Sequence, residues 1–336
     1  MARTLPRRLA LSLTVAVCSA GVPSSAAEVR PISIRAAAVP LHAEDAATQT
    51  VGRLQYRGGL HLTSDDEAFG GFSGLSIEEG GRLVAVSDQG HWLTAELDLG
   101  EDGSLRGLVD GRMGELCDDD GGPVAGWERR DAEEIHPLPG RGYLVSFERH
   151  HRIVLYSGCE EGLPVLDSAP SVFPFPPAIV PTRANRGMEA FVLLPDGRLM
   201  TFAEDLRTIE DDIIGWVGNP QSGDWRHLTL RPLAEFLPTG AAVLPNGDVV
   251  LLERSFIKGE GNRILLSRLA AADLIPGAHL EPIELARLEP PLIVDNMEAV
   301  AVHPAPTGGA SLIYLMSDDN YSDDQRTLLL QFELID

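Results

Sequence analysis

Carboxylates recur in this 336-residue chain at spacings that could gather them in one place. Glu133, Glu189 and Glu298 each lead an apolar run. Asp88, Glu148, Glu204 and Asp318 each close the apolar run that follows the next turn, with Asp319 directly after the last. Oxygen-rich, sulfur-free ligation of this kind selects hard cations, chiefly Ca²⁺. Arg149 and Arg254 directly follow Glu148 and Glu253; His150, Arg183 and Arg186 are near in sequence, and Lys258 lies in a Gly-rich loop. Arginine and lysine beside a bound cation would suit a phosphate or carboxylate substrate. A metal-activated water could then attack phosphorus with a glutamate as general base. The candidate catalytic set is Glu189, Glu298, Arg149 and Arg254; the candidate metal ligands are Asp88, Glu133, Glu148, Glu189, Glu204, Glu298, Asp318 and Asp319. The same residues also admit a plainer reading, as salt bridges and turn caps that hold neighbouring strands together.

The elements that must position these groups repeat along the chain. From Asp295 to Leu330 an apolar strand led by Glu298 turns into Ser311–Met316, and Thr327–Leu334 follows as a third strand. Gly187–Asp205 and Asp131–Arg149 repeat the apolar–turn–apolar–acid pattern, so that Glu133, Glu189 and Glu298 align. In Phe72–Gln89 Ser73 takes the place of that glutamate and Asp88 keeps the second acid. In Pro238–Arg254 Thr239 takes it and Glu253 lies one place early. Successive first positions are 60, 56, 50 and 59 residues apart. Val-, Ile-, Leu- and Tyr-rich strands broken by Gly, Pro, Asn and Asp read as antiparallel meanders. Self-similarity at this period is the signature of a β-propeller of four-stranded blades. Five units are visible, and the expectation is an all-β propeller of six blades, the sixth built from poorly patterned segments and the two chain ends. Hairpin strands run antiparallel, so both acid positions fall at one end of the ring and would place about eight carboxylates around one opening.

Residues 1–27 read as an export signal: Arg3, Arg7 and Arg8, an apolar core Leu9–Val17, and small residues at Ser24–Ala27. That core is too short to span a bilayer. Residues 28–336 read as one domain, since no polar linker divides them. Without the signal, 24 basic side chains face 50 acidic ones, a charge of −26. This argues against nucleic acid or an anionic membrane as partner, and fits either a cation-binding surface or a merely soluble exported protein. The expected setting is the periplasm or the exterior, the expected state a monomer, and the expected partner a small phosphorylated or carboxylated substrate. Cys117 and Cys159 survive processing, an even count that suggests one disulfide in an oxidising compartment, unless the two lie too far apart to bridge. Glu28–Gln49 is weakly patterned, and Val51–Thr63 is expected to share a blade with Thr327–Leu334 so that the ring closes with no open edge. Thr208–Arg226 is expected to form an outer strand pair, and Ala270–Leu274 one helical turn. No GxSxG serine, His/Cys metal spacing or phosphate loop leading into a helix is present.

GGFSGLSIEEGGRLVAVSDQG, DAEEIHPLPGRGYLVSFERHHRIVLY, NRGMEAFVLLPDGRLMTFAED and DNMEAVAVHP…LMSDDNYSDDQRTLLLQFEL together resemble the phytase-like family of exported bacterial proteins, described as having esterase-like activity of phytase. The resemblance implies a propeller-like fold with recurring Glu and Asp, and phosphoester hydrolysis that is calcium-dependent. It carries over to Asp88, Glu133, Glu148, Glu189, Glu204, Glu298, Asp318 and Asp319, while Ser73 and Thr239 depart from a fully symmetric ligand ring. Two other functions stay open: a non-enzymatic envelope propeller that binds a cation or cationic partner, and a lactonase-type esterase in which one Ca²⁺ polarises a carbonyl.

Overall fold

A computed structural model describes residues 29–157, 159–160, 163–164, 166–177, 187–305 and 309–335, with the side chains of 159, 160, 163, 164, 204 and 205 left out. The export-signal expectation falls on residues outside this set. No helix of the described residues is long and apolar enough to cross a membrane.

Five sheets stand around one axis. Their innermost strands are Phe72–Ile77, Ala132–Leu138, Met188–Leu193, Leu237–Val243 and Met297–Pro304. Each packs against the next, and the last against the first, so the ring is closed. From these strands each blade steps outward through antiparallel pairs, except that His279–Leu280 adds in parallel to the outer edge of the third. Arg82–Ser87, His91–Leu99 and Leu105–Glu115 complete the first blade. Gly142–Phe147, Arg152–Ser157 and Ser171–Phe173 complete the second. Ile213–Asn219 and Asp224–Leu230 are the outer pair of the third, as expected, and Ala271–Asp273 is a single 3₁₀ turn.

The blade count is five, not six. Thr327–Leu334 pairs with Leu54–Ser64 over nearly its whole length, which closes the ring within the fifth blade. The amino-terminal segment reserved for a sixth blade is spent on edges instead. Ile34–Ala38 adds to Leu54–Ser64, and Arg30–Pro31 pairs with the outer strand of the first blade. Both additions cover edges that would otherwise expose unpaired backbone groups.

The core is five separate wedges, one between each pair of neighbouring blades. Side chains alternate faces along a strand, so one strand serves two wedges. Leu83 and Ala85 pack toward the fifth blade, while Val84 and Val86 pack toward the second. Strands buried on both faces read as continuous apolar runs, which is why the repeat was legible as apolar–turn–apolar. Cys117 is buried in the wedge between the first two blades. The side chain of Cys159 lies outside the described residues, and with it the expected disulfide.

Candidate metal and phosphate site

The five aligned first positions share one backbone feature. In every blade the pairing of the innermost strand with its neighbour slips by one residue there. Phe72 opposes Ser87 but Gly74 opposes Val86, leaving Ser73 as the extra residue. Glu133, Thr239 and Glu298 are the extra residues in the second, fourth and fifth blades, and the slip in the third falls between Met188 and Phe191, across Glu189. A bulge of this kind bends the strand and re-aims a side chain. Here the bulged positions Ser73, Glu133, Glu189 and Glu298 line one cavity of about 330 Å³ at the end of the ring.

The second positions follow from the same register. Ser87, Phe147, Ala203, Glu253 and Ser317 oppose the residue before the bulge in successive blades and point into the blades. All five are fully enclosed at 0% exposure. The residue after each is Asp88, Glu148, Glu204, Arg254 and Asp318. Arg254, not Glu253, therefore holds the ring position in the fourth blade. Glu253 is turned inward, where Ser267 Oγ donates to it at 2.7 Å. Burial pushes its carboxyl up to about 7, against the opposing hydrogen bond from Ser267.

Asp88, Asp131, Glu133, Glu148, Glu189, Glu298 and Asp318 meet in the cavity wall with Arg149, Arg254, Asn296, Asn320 and Ser73. Asp131, Glu133 and Glu148 offer carboxylate oxygens that all lie within 4.8 Å of one another, a group that could hold a metal ion. Glu148 also accepts a 2.5 Å hydrogen bond from the backbone N–H of Gly187, which fixes it against the third blade. Across the cavity, Asn296 Nδ2 donates to Glu298 Oε1 at 2.7 Å, and the Asn320 N–H donates to Asp318 Oδ1 at 2.6 Å. Each arginine already engages an acid: Arg149 pairs with Asp131, while Arg254 lies 3.3 Å from Glu298 and donates to Asn296 Oδ1.

The acids strain one another. Burial raises Glu133 well above the usual carboxylate range, and Glu189, Asp131, Glu148 and Glu298 push the same way. Asp88 is pushed up to about 7 by burial, then by Asp131, Glu298 and Asp319, with Arg149 opposing. Asp318 reaches about 8 through burial and the charges of Glu298 and Asp88. Burial also raises Asp131 and Glu298, with Arg149 and Arg254 respectively pulling back. Like charges this close call for protons or a cation between them. Asp88 Oδ1 is moreover buried with no hydrogen-bond partner. Room for it is kept by Gly71, at φ 64°, where a Cβ would stand 2.3 Å from that oxygen.

Of the residues singled out in the sequence, Asp88, Glu133, Glu148, Glu189, Glu298, Asp318, Arg149 and Arg254 are brought together. Asp319 is not in the wall; its carboxylate accepts from Gly71 N at 3.0 Å and Thr327 Oγ1 at 2.8 Å, tying the last blade to the first. The side chain of Glu204, like Arg183 and Arg186, lies outside the described residues. Asp131 and Asn296 were not anticipated. Both stand two places before a bulged glutamate, in DAE and NME, while Gly71 and Gly187 fill that place in the first and third units. Comparing that offset between units would have found them.

No curated protein matches the chain. Among solved structures it is similar to an aldose sugar dehydrogenase from Streptomyces coelicolor (15% identity over 82% of this chain and 97% of that one, TM-score 0.42). It is also similar to an endo-arabinase from Bacteroides thetaiotaomicron (12% identity over 79% and 94%, TM-score 0.44). Similarity at that level carries no information on the site. Sequence is more specific: the family model named Phytase-like, esterase-like activity of phytase, matches residues 67–321, which include every described residue of the cavity wall. The chain belongs to the phytase-like family.

Proposed function

We propose that this protein is an exported phosphoester hydrolase whose mouth carboxylates hold calcium beside two arginines that take the phosphate. The observation that carries this reading is the meeting of seven carboxylates and two guanidinium groups in one cavity of about 330 Å³. The donor set fits calcium: among the described residues the wall offers carboxylate, amide and hydroxyl oxygens and neither sulfur nor imidazole. The unpartnered, buried Asp88 Oδ1 is a donor in need of such an ion. Calcium bound there would offset the crowded negative charge and polarise a phosphate oxygen.

The remaining work belongs to the chain itself. Arg149 and Arg254 present planar, always-charged donors to the other phosphate oxygens. They enter from the second and fourth blades and so fix the group's orientation as well as its charge. Their existing partners, Asp131 and Glu298, hold them at the wall before a substrate arrives. Glu189, on the third blade's inner strand and half-buried, is assigned as the base that accepts the proton of the attacking water. Residues 1–27 carry the export part of this reading.

Hydrolysis of an aryl phosphomonoester, measured with added calcium and after chelation, tests it. The expected result is calcium-dependent turnover that falls by about 10³-fold in Glu189→Gln, with little change in the melting temperature of the metal-free protein. Turnover that survives both chelation and the substitution would overturn the assignment. Calcium binding without any turnover would instead support a non-enzymatic propeller.

A further inference from the structure

Three large aromatic side chains among the described residues are exposed: Trp127 at 66%, Phe256 at 66% and Tyr321 at 40%. All three stand at the acidic end of the ring. Trp127 lies four residues before Asp131, on the short helix Trp127–Arg130. Phe256 lies two residues beyond Arg254 on Val249–Ile257, hence on the same face of that strand. Tyr321 directly follows Asn320 of the cavity wall and is tethered, its hydroxyl donating to Gly70 O at 3.1 Å.

Trp127 and Phe256 each accompany a guanidinium of the cavity wall: Trp127 lies against that of Arg149, and Phe256 follows Arg254 by two residues on the same strand. The Arg149 guanidinium carbon is 4.9 Å from the Trp127 ring centre, and the same guanidinium pairs with Asp131. The indole is held in place by its short helix. Arg129 Nη2 donates to Asp118 Oδ1 at 2.6 Å, Arg130 Nε to Val124 O at 2.9 Å, and Arg152 Nη2 to Arg129 O at 2.6 Å. A rigid ring left in water at the edge of a charged pocket offers contact area at small entropic cost on binding.

We infer that the substrate carries a ring beside its phosphate, and that Trp127 and Phe256 are specificity-determining residues that take the face of that ring. This rests on the phosphate-binding reading of the cavity. A bare or short-chain phosphate would fill the charged pocket and leave both aromatics in solvent. A cyclic organic phosphate would cover them.

Non-hydrolysable probes separate the two ideas. Phenylphosphonate and methylphosphonate are titrated calorimetrically into the calcium-loaded wild type, Trp127→Phe, Trp127→Ala and the double variant Trp127→Ala/Phe256→Ala. The wild type is expected to bind the phenyl compound about tenfold more tightly than the methyl compound. That preference is expected to survive in Trp127→Phe and to fall below about threefold in the double variant. Equal binding of the two compounds by the wild type, or an undiminished preference in the double variant, would overturn the inference while leaving the phosphate site standing. Failure of the wild type to bind either compound would refute the phosphate site itself, and the inference with it.

Discussion

In the second blade the bulge carries Glu133 and the neighbouring strand delivers Glu148; in the fourth, the same two places hold Thr239 and Arg254. The scaffolds are alike, and both open on the mouth. Their charges are opposite because the fourth blade's acid arrives one residue early along its strand. A shift of one residue moves a strand side chain to the other face, so Glu253 enters the blade and meets Ser267 while Arg254 enters the ring. Whether an acid becomes a ligand or a buried liability is thus decided by its phase against the bulge, not by its presence in the repeat. The second blade supplies cation ligands, and the fourth supplies the counter-charge that an anionic substrate needs.

The comparison breaks most sharply at Arg254. Arg254→Glu makes the fourth blade resemble the others, and is expected to lower kcat/KM for a phosphoester by at least about 10²-fold while calcium binds no more weakly than to the wild type. Unchanged kcat/KM would show that Arg254 is only a strut for Glu298. In the second blade, Glu133→Gln removes one member of the closest acid group and is expected to weaken calcium about tenfold by direct titration. A comparable loss from Thr239→Ser, which leaves the two ring positions of the fourth blade without an acid, would contradict the division of roles.

The smallest effect concerns Glu253. Its carboxyl titrates near 7 when folded, above the ordinary 4.5, so the folded chain keeps a proton that the unfolded chain releases. Stability from this group is complete below pH 4.5 and lost as pH rises through 7. Glu253→Gln is therefore expected to melt with the wild type at pH 4.5 and about 2–4 °C above it at pH 8. Asp88 and Asp318, raised to about 7 and about 8, tilt metal-free stability the same way. Calcium should cancel their share and leave that of Glu253, because Glu253 does not face the cavity. A wild type whose melting temperature rises between pH 5 and 8 without metal would contradict both statements.

Much of this was legible in the chain. The five aligned first positions turned out to mark the bulged region of all five innermost strands, because the bulge recurs with the apolar pattern around it. The pairing of the carboxy-terminal strand with Leu54–Ser64 could also be read, since a closed ring leaves no other place for it. The blade count could not be. Residues 30–38 lack strand-like alternation because they add to outer edges with neither face buried: in Ile34–Ala38 the four residues after Ile34 are exposed. Asp131 and Asn296 were missed for a related reason: they precede the innermost strands and carry no periodicity, only a fixed offset. The exchange of Glu253 for Arg254 was visible as a one-residue irregularity. Its meaning required the register of the hairpin, which depends on where the bulge falls.

The central claim is that the crowded acids of the mouth are a cation site. Thermal unfolding of chelator-treated protein at pH 8, with and without calcium, tests it most directly when run beside Glu133→Gln. An ion bound only by the folded state should stabilise the wild type by about 2.7 kcal/mol at a hundredfold excess over its Kd, and stabilise Glu133→Gln clearly less. Identical melting curves with and without calcium would mean that the mouth carries surface charge balanced by protons and arginines, and would remove the basis for the hydrolase.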